Sequence, residues 1–178
     1  YTLVEKGIII QSDNLYANTG LSQSMGAWVY ISDWGIQLLH FPVFEICDSQ
    51  PNNFPNNFIE YRLEREDLNY KALIEVRKDA TFSRFYGEYL FNMNTWNYMA
   101  FAYDETSNVL WLICNDTITS YSPDGTWGSG TMYTRYYSKT TNVPYPRTSV
   151  NSYLDEVIWV PNQFVDPQIF ADHYSHDV

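Results

Sequence analysis

Thr95 to Asp116, TWNYMAFAYDETSNVLWLICND, decides how the chain reads. Two apolar runs flank the polar turn Asp104-Glu105-Thr106-Ser107-Asn108. Trp96, Tyr98, Met99 and Phe101 lie on the way in, and Val109, Leu110, Trp111, Leu112 and Ile113 on the way out. Successive strand side chains point to opposite faces, so a strand that is bulky at odd and even positions alike is covered on both. Acidic, hydroxyl and amide side chains between the runs bond turn backbone and tolerate unusual dihedrals, which favours a hairpin over one long strand. The stretch reads as the inner hairpin of a layered β domain.

Toward the C-terminus, Ser152 to Tyr174, SYLDEVIWVPNQFVDPQIFADHY, opens as an alternating strand. It sets Tyr153, Asp155, Val157 and Trp159 on one face and Leu154, Glu156, Ile158 and Val160 on the other. Pro161 has no backbone donor and stops it. Asp166-Pro167 then predicts an N-cap and first helical position, and Ile169, Phe170, His173 and Tyr174 recur at helical spacing. Further strands are expected at Leu3 to Ile10, Gly26 to Ser32, Gly35 to Cys47, Phe58 to Arg65, Tyr70 to Lys78, Phe82 to Phe91, Thr117 to Tyr121 and Thr131 to Tyr137. With 178 residues, 45% of them hydrophobic, and 16 Tyr and 6 Trp, the chain is expected to bury one core as a single domain, 1–178. Many short strands with polar turns predict an all-β, antiparallel two-sheet sandwich or jelly roll with a short C-terminal helix.

The order of TWNYMAFAYDETSNVLWLICND, the later YLDEVIW strand and the VDPQIFADHY helix resembles the laminin G-like domains of the concanavalin A-like lectin/glucanase superfamily. GAWVYIS, Gly26 to Ser32, fits that family's early aromatic strand, and Glu5 to Tyr16 its opening strand, so the resemblance spans nearly the whole chain. One departure stands out: the family's Asn-Gly after the partner strand is Asn115-Asp116 here, preceded by Cys114. The resemblance implies a concanavalin A-like jelly roll and a non-catalytic module for glycan or protein binding and cell adhesion. It also implies that calcium is a possible structural cofactor, nominating Asp155 and Asp13, because an Asp on the last strand of such folds meets the opening segment. The alternative for Asp155 is a hydrogen bond to a neighbouring loop. No EF-hand spacing or zinc-type Cys/His cluster is present, and His173 and His176 read as solvated tail residues.

A formal net charge of −11 disfavours nucleic acid and anionic lipid as partners. Arg62, Arg65, Lys71, Arg77, Lys78 and Arg84 gather in one central stretch, but their alternation with Glu60, Glu64, Glu66 and Glu75 predicts cross-strand ion pairing. No apolar run approaches the ~20 residues that span a bilayer, so no membrane insertion is expected. With no signal-like segment at Tyr1, the sequence reads as a mature product or a domain of a larger protein. Asn115-Asp116-Thr117 is an N-glycosylation sequon, and Cys47 and Cys114 are either a disulfide or two buried thiols. Together these lean toward an extracellular, secreted or cell-surface setting.

Two loops are candidate ligand contacts. Pro51-Asn52-Asn53-Phe54 is followed by Pro55-Asn56-Asn57-Phe58, a near-repeat offering Phe54 as a stacking face and Asn56 and Asn57 as amides for sugar hydroxyls. In Tyr121 to Gly130, YSPDGTWGSG, Trp127 lies between glycines, placed either to stack on a ligand or to fold back over one end of the sandwich. For catalysis, the nearest approach to a glycosidase pair is Glu60 and Glu64 on one strand face, with Arg62 between them favouring both as carboxylates. No G-x-S-x-G elbow is present, and His40 reads as a strand residue. The expected function is therefore a non-enzymatic binding module acting through sandwich-end loops. A self-assembling structural subunit is the alternative, and a glycan-processing domain the third.

Overall fold

The computed structural model describes residues 8–11, 22–33, 40–48, 56–66, 69–128, 133–136, 151–160 and 163–176. Its elements are β1 (Ile8–Gln11), β2 (Gln23–Asp33), β3 (His40–Cys47), β4 (Phe58–Glu66), β5 (Asn69–Lys78), β6 (Thr81–Phe91), β7 (Trp96–Asp104), β8 (Val109–Cys114), β9 (Thr117–Tyr121), β10 (Tyr133–Tyr136), β11 (Asn151–Val160) and α1 (Pro167–His176). They form a six-stranded sheet in the order β1-β10-β3-β4-β5-β6 and a five-stranded sheet in the order β11-β2-β7-β8-β9. Every pairing is antiparallel. The all-β sandwich with one C-terminal helix is thus the architecture, and the strands fall within a few residues of their expected bounds wherever the chain is described.

Residues Tyr98 to Tyr103 of β7 are buried without a break, and the two faces they present account for it. Met99, Phe101 and Tyr103 point between the sheets, where they meet Met25, Val29, Phe44, Ile46, Tyr61, Leu63 and Leu112. Phe44 stands edge-on to Tyr61 at 5.1 Å and 5.8 Å from Phe101. Tyr98, Ala100 and Ala102 point the other way, into a second apolar cluster with Trp28, Ile113 and Phe170. Helix α1 supplies Phe170 and so covers the outer face of the five-stranded sheet. Burying each such side chain contributes about 1.5–3 kcal/mol, which is why a strand apolar at every position sits at the centre of three layers.

Helix α1 starts where its cap predicts. Asp166 Oδ1 accepts the Gln168 amide at 2.9 Å, and Pro167 fills the first position, where a missing N–H costs nothing. No helix of the described residues is long and apolar enough to cross a membrane.

One expectation fails in β11. Strict alternation puts Leu154 and Trp159 on opposite faces, yet both pack toward the central core. Asp155 pairs with Trp28 and Ile158 with Gly26, so two residues, Glu156 and Val157, oppose Ala27 alone. This β-bulge, with Glu156 at φ 47°, shifts the side-chain phase by one residue.

Candidate functional site

Five connections meet at one end of the sandwich: the segments after β3, β5, β7 and β9 and the entry to β2. Asp48 closes the β3–β4 connection at its base. Its N–H donates to the Asn57 carbonyl at 2.9 Å, and its carboxylate accepts the Asn56 amide at 2.9 Å and Asn57 Nδ2 at 2.7 Å. Asn57 Oδ1 then accepts the Asp79 amide at 3.0 Å and the Gly128 amide at 2.8 Å. One buried amide side chain thereby ties three connections together. Gly128 lies so close that a Cβ there would stand 2.9 Å from Asn57 Nδ2.

Lys78 makes a second knot. Only 2% exposed, its ammonium donates to Tyr103 Oη at 3.2 Å, to the Pro123 carbonyl at 3.3 Å and to Asn108 Oδ1. It also stands 5.2 Å from the Tyr103 ring centroid and 5.3 Å from that of Trp127. Burial lowers the Lys78 pKa, with Glu105 and Asp124 acting in the opposite direction. Trp127 Nε1 donates to Tyr103 Oη at 3.1 Å, and its ring packs on the central core. The turn 122–128 crosses β5 and β6 at Gly125, whose φ of 90° and 2.7 Å Cβ approach to Thr81 require glycine. In the β7–β8 turn, Asp104 accepts Ser107 Oγ at 2.7 Å and the Thr106 amide at 3.0 Å, and Asn108 takes the left-handed conformation at φ 52°. The Ser107 hydroxyl is the largest cause holding the Asp104 carboxyl below its ordinary pKa.

The structure brings Asn56, Asn57 and Trp127 to one end and engages two of them internally. Asn57 has both ends of its amide engaged internally, and Trp127 folds back, half-buried, on Lys78 and Tyr103. Asn56 is exposed at the loop's foot. Phe54 and Asp13 lie outside the described residues. Asp155 is exposed, and its Oδ1 accepts the Glu156 amide at 2.9 Å, while Glu156 turns to His173 Nε2 at 2.9 Å. Among the described residues no group of three or more His, Cys, Asp or Glu that could hold a metal ion occurs.

Asn115 corrects the sequon reading. It is 3% exposed, accepts the Tyr98 amide at 2.8 Å and donates from Nδ2 to Asn97 Oδ1 at 3.4 Å. A glycan on Nδ2 has no room in the folded chain. Left-handed at φ 55°, Asn115 makes the β8–β9 turn without the family's glycine, because asparagine tolerates this region. Cys47 and Cys114 are free, buried thiols, the alternative to a disulfide. Burial pushes the Cys114 thiol well above its ordinary pKa.

On the outer face of the six-stranded sheet, Glu45, Glu60, Glu75 and Arg84 lie directly across from one another in register. Arg62 Nη2 and Arg84 pair with Glu75 from two sides, with Arg84 Nε 2.7 Å from Oε1, and Arg62 Nε lies 3.4 Å from Glu60. The expected cross-strand ion pairs are present. Lys78 departs from that expectation, because its neighbours are neutral oxygens and rings at the loop end.

No family model matches the chain, and no curated protein sequence does. Solved structures do match. The binding domain of botulinum neurotoxin serotype D superposes with a TM-score of 0.66 at 9% identity, over 99% of this chain and 41% of that one. Domains LG4-5 of the mouse laminin alpha1 chain give 0.60 at 8% identity, over 91% and 40%. The fold is a laminin G-like, concanavalin A-like jelly roll. An alginate lyase from Pseudomonas aeruginosa shares it, with a TM-score of 0.57 at 11% identity over 79% of this chain and 64% of that one. The chain spans about two fifths of the length of the toxin and laminin chains it matches. Within this jelly roll, Lys78 is the buried residue of the candidate end whose place the sequence reading missed. The available signal was its place as the last residue of a strand immediately before a turn, where a long side chain can reach neighbouring loops.

Proposed function

We propose that this jelly roll is a non-catalytic, extracellular binding module within a longer protein, engaging a glycan or a protein through the loops of the Asp48–Asn57 end. The observation that carries the reading is the double knot at that end. Asn57 and Lys78 fix the bases of several connections at once, so the foot of the β3–β4 connection at Asp48, Asn56 and Asn57 is preorganised, which lowers the entropic cost of binding. Phe54 and Asn56 are the contacts in this reading, with Asn57 and Trp127 as their supports. The company of the fold agrees: cell entry of botulinum neurotoxin type C, TM-score 0.63 at 10% identity, depends on interaction with two ganglioside molecules. The Arg62 contacts to Glu60 and Glu75 favour ionised carboxylates, which speaks against a general acid on that sheet.

The test is a glycan array probed with the purified domain, once with calcium and once with chelator. Binding to a defined glycan, weakened about tenfold by Phe54→Ala or Asn56→Ala, is the expected result. Silence in both conditions overturns the glycan form and leaves a protein ligand. Glycan turnover abolished by Glu60→Gln overturns the non-catalytic reading.

A further inference from the structure

The outer face of β6 carries a stripe that the loop end does not use. Phe82, Arg84 and Tyr86 alternate outward with Thr81, Ser83 and Phe85, which turn inward. Phe82 is 51% and Tyr86 46% exposed, two of the five large hydrophobic residues exposed among those described. Same-face neighbours on a strand stand about 6.7 Å apart, so the two rings are separated by about 13 Å with a guanidinium midway. Phe82 and Arg84 have packed or paired side chains. Buried Phe58 packs edge-on behind Phe82 at 6.2 Å, and Arg84 lies 5.9 Å from the Phe82 ring centroid while Glu75 grips its Nε. Tyr121 donates its hydroxyl to the Tyr86 carbonyl, fixing the strand itself. β6 ends the order of its sheet, so the stripe runs along a rim.

We infer that this stripe is a second binding surface, for a linear, uncharged oligosaccharide laid along β6. Ring, planar donor, ring is an arrangement that meets the alternating C–H faces and hydroxyls of successive sugars. Charge selects the neutral class. Around the stripe Glu60, Glu75 and Glu88 are interleaved with Arg62, Arg77 and Arg84, so neither sign of charge finds an unopposed partner here, and the whole chain, at −11, repels a polyanion. A purely apolar partner would leave the Arg84–Glu75 pair beneath it desolvated. This site is independent of the loop-end reading.

Isothermal titration of the chain with neutral β-1,4-linked oligosaccharides of glucose, N-acetylglucosamine and mannose, alongside polyuronate and sulfated oligosaccharides, tests it. The expected result is binding of at least one neutral chain and of neither anionic class, weakened about tenfold by Phe82→Ala or Tyr86→Ala and little changed by Tyr86→Phe. Both alanine variants alter exposed side chains, and an unchanged melting temperature separates lost contact from lost fold. Neutral binding that survives both alanine changes but falls with Phe54→Ala overturns the stripe and keeps the loop site. Preference for the anionic chains, or no binding of any neutral one, also overturns it.

Discussion

At the scale of single residues, Asn57 and the buried acids of the core make the sharpest predictions. Asn57→Ala removes three hydrogen bonds at a buried position and leaves the Asp79 and Gly128 amides without their acceptor. A loss of about 2 kcal/mol in urea unfolding is expected, against little change for exposed Asn56→Ala. Alkaline pH should unfold the protein early. Burial raises Tyr61 and Tyr103 above 10.0 and Cys114 above 9.0, so the folded chain holds these protons where the unfolded chain releases them. Their stabilising contribution is intact below the unfolded values and is lost as pH climbs past about 9. Lys78, lowered by burial, acts with the opposite sign. A urea midpoint that is flat between about pH 8 and about pH 11 would refute this. The roles of these residues were only half legible. An Asn in a Pro-Asn-Asn-Phe repeat looks the same whether its amide faces a ligand or a carboxylate and two backbone amides of the fold, because only the tertiary neighbours consume its hydrogen bonds.

At the scale of the element, the row Glu45, Glu60, Glu75 places like charges opposite one another on adjacent strands, an arrangement that destabilises a sheet unless cations intervene. Arg62 and Arg84 intervene unequally. Arg62 and Glu75 have side chains 12% and 6% exposed, whereas that of Arg84 is 40% exposed. Glu75→Ala leaves the buried guanidinium of Arg62 with only the longer contact to Glu60 and is expected to cost about 2 kcal/mol, while Arg84→Ala costs under about 1 kcal/mol. Equal losses in paired denaturation curves would contradict this division. The alternation of Glu and Arg along β4 and β5 made the ion pairs readable in advance. The bulge in β11 was not readable, since Tyr153 to Val160 is a regular alternation in sequence. Only the need to bring both Leu154 and Trp159 onto the core reveals the extra residue.

At the scale of the molecule, the five exposed large hydrophobics among the described residues, Phe82, Tyr86, Trp96, Val157 and Ile169, are divided among β6, β7, β11 and α1. Sedimentation velocity should therefore find a monomer, and concentration-dependent self-association would restore the structural-subunit reading. The sequence by itself determined the layers. A strand bulky at every position has no solution but the middle of a sandwich, and a capped C-terminal helix with one apolar stripe must lie on a sheet. The tertiary structure alone decided which polar side chains are left over. In the sequence Asn57 and Asn115 read as candidates for ligand contact and modification, Trp127 as either a contact or a cap, and Lys78 as a cross-strand ion-pair partner. The fold engages each of them internally, because hydrogen-bond partners far apart along the chain become neighbours only once both sheets have closed.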